Sequence, residues 1–236
     1  MMSMPRSTPT VARMAAQVAA WHAQHDHRAI FLDCYLRMTH QMLAALDAGE
    51  FADAAWVARL LDRFADYYFD ALATYEQGAA TPAVWQVAHD AARRAETQTL
   101  QNLLLGVNAH INYDLVLVVA ELLQPEWPQL TAARRHQRYA DYTHVNSVIA
   151  RTLDIVQDEI VEPDAPVLRI ADLLLGRLDE WATMQLIGGW REEVWHRALE
   201  MLAAPTTDQS EAIRSSVEAA TLRKAAWMLG HPRALT

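Results

Sequence analysis

A polar stretch inside a long apolar segment constrains this chain more than any other feature of its sequence. Residues 103–107 and 116–120 are apolar, whereas residues 108–115 carry two amides, an imidazole, a phenol and a carboxylate. The whole stretch is typical of one helix that is buried over most of its surface. A buried polar group costs about 1–3 kcal/mol when no partner satisfies it. These side chains therefore either form an internal hydrogen-bond network or face a cavity, which would be the active or binding site.

Helix-forming patterns continue along the rest of the chain. Glycine is scarce, with 7 in 236 residues, and no strand-like alternation stands out between turn signals. We predict an all-α fold, a single-domain bundle of about seven to eight helices over residues 1–236, with residues 1–10 as a flexible tail. The predicted helices cover residues 8–24, 28–46, 51–75, 82–123 with a bend near Gly106, 132–161, 167–186, 191–202 and 209–229.

Local signals set the predicted helix boundaries. Thr81 followed by Pro82 predicts a helix start, with Thr81 as the N-cap and Pro82 at the first helical position. The pair Gly188-Gly189 predicts the end of the helix before it. The loops at 124–128 and 162–166 each contain two prolines and separate neighbouring helices.

Composition narrows the classes of partner. The net charge is −9 and no Lys/Arg-rich stripe is present, which argues against a nucleic-acid partner. Cys34 is the single cysteine, so we expect neither a disulfide framework nor a cysteine-based metal site, as suits a reducing compartment. No signal-peptide pattern and no uninterrupted apolar run of membrane-spanning length stand out. We expect a cytoplasmic protein without a membrane span, and leave a homodimer open.

The central motif predicts a reactive centre. On a helix His110 and Asp114 are four positions apart and share a face, while Asn108 and Asn112 share the neighbouring face. His110 is a candidate general acid or base whose tautomer Asp114 fixes. Asn108 and Asn112 are candidates for orienting a carbonyl or stabilising an oxyanion, and Tyr113 completes the predicted catalytic set.

Two other interpretations of the motif remain open. His110 and Asp114 form an H-x-x-x-D pair, a spacing found among metal ligands, so zinc or iron is the alternative cofactor to none. Such a site needs a further ligand, for which the candidates are His40, Asp66, Asp141 and His144. Alternatively the polar groups satisfy each other and pin the register of packed helices.

Polar and aromatic side chains on other predicted helices are candidates for binding a substrate in the same cavity. These are Tyr35, Thr39, Tyr68, Tyr142 and Asn146. By contrast, the row Asp62, Asp66 and Asp70 is interpreted as a solvated helix face, and the histidine-rich segment 21–28 as a polar turn between helices. Cys34 lies on an apolar helix face, where an inert thiol is expected.

Residues 103–115 resemble the hallmark of a bacterial family classed as a domain of unknown function. The resemblance spans residues 37–202, and its further pieces are residues 64–68, Pro82 with Trp85, Asp141 with Asn146, and Arg191, Trp195 and Ala198. It implies an all-helical domain and supplies no activity. Some such proteins occur with natural-product pathways.

The H-x-x-x-D pair also resembles the buried pair of the helical zinc phospholipases C and single-strand nucleases. That resemblance implies a trinuclear zinc site with many more His and Asp ligands and a free N-terminal Trp. This chain departs from the pattern, because it has no second H-x-x-x-D in its predicted core and no signal-peptide pattern.

Three hypotheses follow for function. The first is an enzyme that holds a small, largely apolar molecule inside the bundle and performs a cofactor-independent cyclisation or isomerisation of secondary metabolism. Proximity in a preformed pocket and a polarised carbonyl would supply the rate. The second is a zinc- or iron-dependent hydrolase with His110 and Asp114 as ligands. The third is a non-catalytic helical binding protein.

Overall fold

The chain is an assembly of α-helices in the computed structural model, which describes residues 8–158 and 180–230. The all-α prediction is confirmed. A π-helix, His110–Asp114, joins α5 to α6, and a short 3-10 helix, Trp127–Gln129, precedes α7. The α-helices are α1 Pro9–Ala23, α2 Ala29–Asp47, α3 Ala54–Glu76, α4 Ala83–Ala92, α5 Thr99–Ala109, α6 Leu115–Leu123, α7 Ala132–Asp158, α8 Glu180–Ala203 and α9 Thr207–Met228.

Contacts within the chain group it into two compact units. Unit 1 comprises residues 1–62 with 131–188, and unit 2 comprises residues 63–130 with 189–236. The prediction of one domain over residues 1–236 stays a prediction. Residues 1–7 of the predicted tail, the predicted loop at 162–166 and most of the predicted helix 167–186 lie outside the described residues.

Unit 1 begins with two packed helices and an ordered turn between them. Thr8 caps α1 by accepting the N–H of Val11 at 3.2 Å. In the turn, Arg28 donates to both carboxylate oxygens of Asp26, and its guanidinium lies 4.6 Å from the ring centre of Trp21. Residues 24–28 therefore form the polar turn that the sequence predicted, and an ion pair stabilises it, whereas residues 21–23 belong to α1.

A carboxylate on α7 organises the start of α3 in the same unit. Asp141 accepts the backbone N–H groups of Ala52 and Asp53 at 2.8 and 2.9 Å. Asp53 in turn accepts the N–H of Trp56 at 2.9 Å and pairs with Arg138 at 2.6 Å. These bonds satisfy N–H groups that the first turn of a helix otherwise leaves without partners.

Unit 2 contains the apolar segment, and the structure corrects the single predicted helix over 82–123. Helix α4 ends at Ala92, and residues 93–98 form a turn before α5 starts at Thr99. The turn is required because α4 packs against α5, so the chain must reverse between them. Gln98 opens α5 by donating its backbone N–H to the side chain of Gln101 at 3.0 Å.

Several predicted helix boundaries were wrong, among them the starts of α3 and α8, predicted at residues 51 and 191 and found at Ala54 and Glu180. Helix α4 starts at Ala83 with Pro82 as N-cap, one position later than predicted, because the Ala83 N–H donates to Glu218 of α9 at 2.9 Å instead of being capped by Thr81. The pair Gly188-Gly189 does not end a helix, since α8 runs through it. Each glycine weakens a helix by about 1 kcal/mol but keeps its N–H, so the hydrogen-bond ladder continues.

The stretch Thr99–Leu123 is long and apolar enough to cross a membrane by length and composition. Of its most apolar window, 78% is buried inside the protein. That burial is what the central helix of a protein core shows, and the expectation of no membrane span stays a prediction.

Candidate functional site

The polar motif adopts a π-helix. Over His110–Asp114 the backbone widens, and the N–H of Leu115 bonds the carbonyl of His110, five residues back, instead of the usual four. Such single π-turns within α-helices occur frequently at functional sites. Side chains of the π-helix contact different helices. His110 and Asp114 contact α3 and α4, whereas Asn112 bonds to α9.

His110 and Asp114 form a buried hydrogen-bonded pair. His110 Nδ1 lies 2.9 Å from Asp114 Oδ2, and the two residues are 3% and 1% exposed. Trp85 on α4 donates its indole N–H to the same carboxylate oxygen, also at 2.9 Å. One oxygen of Asp114 is therefore engaged by two ring nitrogens from two elements, which fixes the carboxyl group in one orientation.

Aromatic rings enclose His110. Phe64 on α3 stacks on the imidazole, with ring centres 3.5 Å apart and planes at 7°. Tyr68 and Trp85 contact the same imidazole ring at angles of 72° and 59°, with centres 6.1 and 5.9 Å away. This aromatic enclosure keeps water away and holds the imidazole plane in place.

Burial disfavours charge on both members of the pair. It lowers the pKa of His110 well below its usual value and raises the pKa of Asp114 well above its own, although the Trp85 N–H partly offsets the second shift. Burial thus favours the uncharged forms, a neutral imidazole beside a carboxylic acid. Asp114 therefore holds a proton where an exposed aspartate would not.

Asp114 lines a groove in unit 2. The groove has a volume of about 320 Å³, and Asp114 is its most buried lining residue. Helix α3 provides much of the lining, which is largely apolar and aromatic, and His110 is not part of it. The lining residues are Arg63, Tyr67, Asp70, Ala71, Thr74, Pro82, Tyr113, Asp114 and Leu117.

An ion pair borders this groove. Arg63 donates two bonds to Glu121, at 2.8 and 3.2 Å, and also lies 3.7 Å from Asp66. Tyr67 donates its hydroxyl to Glu121 at 2.8 Å, and burial together with that bond raises the pKa of the Tyr67 phenol. The Arg63 cation is thus already balanced by carboxylates, and Tyr67 is a neutral hydrogen-bond donor.

Tyr113 also lines the groove, and its hydroxyl oxygen accepts a hydrogen bond from α9. Arg214 on α9 donates to the Tyr113 oxygen at 2.7 Å, and Arg214 is itself paired with Glu211. Burial raises the pKa of Tyr113, so this phenol is neutral too. The guanidinium uses one lone pair of the oxygen and leaves the phenolic proton available for donation.

Asn108 and Asn112 belong to a separate network that connects the motif to α9. Asn112 donates to the side-chain oxygen of Asn108 at 3.0 Å, and Asn108 donates to the carbonyl of Thr221 at 3.0 Å. Lys224 donates to the Asn112 oxygen at 2.8 Å, and Thr221 donates to the Asn112 carbonyl. Neither asparagine lines the groove, so their position supports helix register and gives no support to the predicted oxyanion role.

The predicted substrate-binding residues fall in different parts of the chain. Tyr68 is in unit 2, where it packs against Trp85 and His110. Tyr35, Thr39, Tyr142 and Asn146 are in unit 1, and Thr39 donates its hydroxyl to the Tyr35 carbonyl at 2.8 Å within α2. None of these five lines the groove beside Asp114.

Of the four residues considered as further metal ligands, His40 lies in unit 1 and the other three have other contacts. Asp141 caps α3, and His144 lies 3.0 Å from Glu50 in unit 1, while Asp66 pairs with Arg63 in unit 2. Within residues 8–158 and 180–230 no three His, Cys, Asp or Glu side chains come together as a metal-binding group. The zinc or iron interpretation therefore lacks a third ligand in the part of the chain that is described.

Sequence reasoning missed several residues of this site as functional candidates. Trp85, Phe64, Tyr67 and Arg63 were not predicted to contribute, and Asp70 was interpreted as part of a solvated face. The family resemblance did include residues 64–68 and Trp85. A signal was thus present in the residues carrying that resemblance, although it specified no role.

Comparisons with known proteins give a family and nothing further. A family model described as a family of unknown function (DUF5995) matches residues 8–231. No curated protein and no solved structure is similar enough to match the chain.

Proposed function

The chain belongs to a family of unknown function (DUF5995), and from the geometry of its groove we propose that it is a small-molecule enzyme. In this proposal it transfers protons to and from a largely apolar carbonyl compound, and so isomerises or cyclises it without a cofactor. Asp114 is the catalytic acid. We expect the enzyme to act in the cytoplasm on a molecule of secondary metabolism.

One observation supports this function above the others. Asp114 is 1% exposed, its pKa is raised by burial, and it nevertheless lines a groove of about 320 Å³. A carboxyl group whose pKa is raised keeps its proton to a higher pH than an exposed aspartate does, which suits it to act as a general acid. When two carboxyl groups of one site have contrasting environments, the buried one commonly acts as the acid and the exposed one as the base. Asp70 is exposed and lines the same groove, so it is the base in this proposal.

The proposed step is an enolisation that balances without any other reactant. Asp70 takes a proton from the carbon next to the substrate carbonyl, and the C–H electron pair becomes a carbon–carbon double bond. The π electrons of the carbonyl move to its oxygen, which takes the proton of Asp114. In a substrate with a further conjugated double bond, the Asp70 proton goes to a different carbon while the enol O–H returns its proton to Asp114, which gives an isomer. Alternatively the enol carbon attacks a second carbonyl of the same molecule and closes a ring; the new alkoxide takes the Asp70 proton, and the enol O–H returns its proton to Asp114.

The residues behind Asp114 are positioning residues in this mechanism. His110 and Trp85 hold Oδ2 and accommodate the carboxylate that remains after proton transfer, because each is within hydrogen-bond distance of it. Tyr113 is a neutral phenol on the groove wall that can donate its proton to a developing enolate oxygen, whereas the proton of Tyr67 is already donated to Glu121. The apolar residues Ala71 and Leu117 match the largely apolar substrate.

Two measurements test the proposal. The first is the titration of the aspartate carboxyl carbons by NMR, with Asp114→Asn used to assign the resonance. We expect Asp114 to titrate well above the range of ordinary aspartates, and titration near pH 4 would overturn the proposal.

The second measurement is deuterium exchange at the carbon next to a carbonyl. Cyclohexanone, acetophenone and 1-indanone are incubated with the enzyme in D₂O, and exchange is followed by NMR. Catalysed exchange should be lost in Asp114→Asn and retained in Asp47→Asn, an exposed carboxylate outside unit 2. Exchange at the wild-type rate in Asp114→Asn contradicts the proposal.

A further inference from the structure

A second groove adjoins the first within unit 2. It has a volume of about 500 Å³ and shares two lining residues, Tyr67 and Leu117, with the groove that reaches Asp114. The two grooves therefore lie on either side of these residues. Helices α6, α8 and α9 and the residues at their ends supply the rest of the second lining. It consists of Ala120, Glu121, Gln124, Met201, Leu202, Ala204, Pro205, Thr206, Thr207 and Ser210.

The second groove offers hydrogen-bonding groups that the protein leaves available. Within the described part of the chain, the hydroxyls of Thr207 and Ser210 and the amide of Gln124 have no protein hydrogen-bond partner. Met201 and Leu202 add apolar surface beside them. This mixture matches a neutral polar group, such as a sugar or a polyol, better than an aliphatic chain.

The charges that line the two grooves favour a neutral ligand over an anionic one. No Lys or Arg is among the lining residues of the second groove, and Glu121 contributes a carboxylate. In the first groove the cation Arg63 is bonded to that same Glu121 and lies near Asp66. A phosphate or carboxylate would therefore meet negative charge without a free cation to balance it.

We infer that the two grooves form one elongated site for an uncharged amphiphile. Its apolar end, carrying the carbonyl, lies beside Asp114 in the first groove, and its hydroxyl-bearing end occupies the second groove. Tyr67 and Leu117 contact the middle of the molecule. The assignment of the reacting end rests on the proposed function, whereas the assignment of the polar end rests on the second groove alone.

The test compares probes and variants by titration calorimetry. The long probe is n-octyl β-D-glucoside below its micelle concentration, the charged probe is n-octyl phosphate, and the short probe is cyclohexanone. Ser210→Phe fills the second groove. Ser216→Phe is the matched control, since Ser216 is exposed on the same helix and lines neither groove.

We expect the glucoside to bind the wild type about tenfold or more tightly than the phosphate, because only the phosphate brings an unbalanced charge. Ser210→Phe should weaken the glucoside by about tenfold, through lost hydrogen bonds and steric conflict, and leave cyclohexanone unchanged. Ser216→Phe should change neither. Phosphate binding as tight as the glucoside, or equal glucoside affinity in both serine variants, overturns the inference.

The outcomes also separate this inference from the proposed function. If glucoside binding depends on Ser210 while Asp114→Asn retains catalysed deuterium exchange, the second groove is a ligand site and Asp114 is not the acid. If exchange depends on Asp114 while the serine variants bind the glucoside equally, the enzyme uses the first groove alone.

Discussion

His110 and Asp114 stand at the two ends of one π-helical turn, and their side chains meet at 2.9 Å in an almost completely buried position. Because burial penalises an imidazolium and a carboxylate alike, the pair is most stable when both groups are uncharged. The two residues therefore titrate as a unit, and a substitution at either one changes the protonation of the other. This coupling governs the behaviour expected of variants in the site.

Asp114→Asn should change how stability depends on pH. Since the pKa of Asp114 is raised on folding, its contribution is fully present below the ordinary aspartate pKa and is lost as the pH rises through the folded value. The loss amounts to at most about 1.4 kcal/mol per pH unit. Urea unfolding between pH 4 and 8 should show the wild type losing stability relative to Asp114→Asn, and a constant difference between them contradicts this.

The contribution of His110 to stability has the opposite pH dependence to that of Asp114. Its pKa is lowered on folding, so its contribution is present above the usual histidine value and is lost as the pH falls toward the folded value. His110→Phe keeps a ring against Phe64 and removes this titration. The same unfolding series should show the wild type losing stability relative to His110→Phe as the pH falls below about 6.5. If the unfolding free energies of the two proteins ran parallel with pH, the pKa of His110 would be the same in the folded and unfolded states.

Trp85→Phe should raise the pKa of Asp114 further. The indole N–H stabilises the carboxylate, and phenylalanine keeps an aromatic ring but has no donor. Loss of one hydrogen bond to a charged group corresponds to a shift of roughly one pH unit. The Asp114 carboxyl resonance measures it. Trp127→Phe is the control in the same unit, and an equal shift in both variants would remove the role assigned to the Trp85 N–H.

Asn112→Ala should destabilise the protein without changing the groove beside Asp114. The substitution leaves Lys224 and Asn108 each without one partner, at a cost of about 1–3 kcal/mol. Lys224→Met removes the donor of the hydrogen bond between Lys224 and Asn112. A double-mutant cycle should give a coupling of roughly 0.5–3 kcal/mol. Additive effects, or weaker cyclohexanone binding in Asn112→Ala, would count against a purely structural role.

Cys34 should react slowly while the protein is folded. Burial, with a smaller contribution from Asp33, raises the pKa of the Cys34 thiol to about 11. At pH 8 this reduces the thiolate fraction by about a hundredfold relative to an ordinary cysteine. Iodoacetamide labelling followed by mass spectrometry should therefore be slow in buffer and fast in denaturing urea. Comparable rates under both conditions would show that the thiol is accessible and ionised.

The fold was largely predictable because it rests on patterns that repeat along the chain. The spacing of apolar residues in α1 and α2 gave both helices to within one residue at each end. The errors came from contacts distant in sequence. Glu218, on α9, supplies the cap at Ala83, and the packing of α4 on α5 requires the turn at 93–98.

The partners of the polar motif were predictable only in part. The density of polar groups at 108–114 predicted buried side chains with hydrogen-bond partners, and the structure shows such partners. A regular α-helix was assumed there, so the π-helix was missed. The partner that engages Asp114, Trp85, is 29 positions away in sequence, and no local pattern connects the two. The groove depends on side chains of α3 whose spacing also fits an exposed helix face.

The π-helix has a consequence for the rotational phase of the segment. A π-turn contains one residue more than the α-helix it interrupts, and each residue of an α-helix advances the chain by about 100°. Deleting one residue between His110 and Asp114 would restore a continuous α-helix and rotate the whole of α6 by that angle relative to α5. The apolar side chains of α6 would then leave the core, so this single extra residue sets which way half of the buried segment faces.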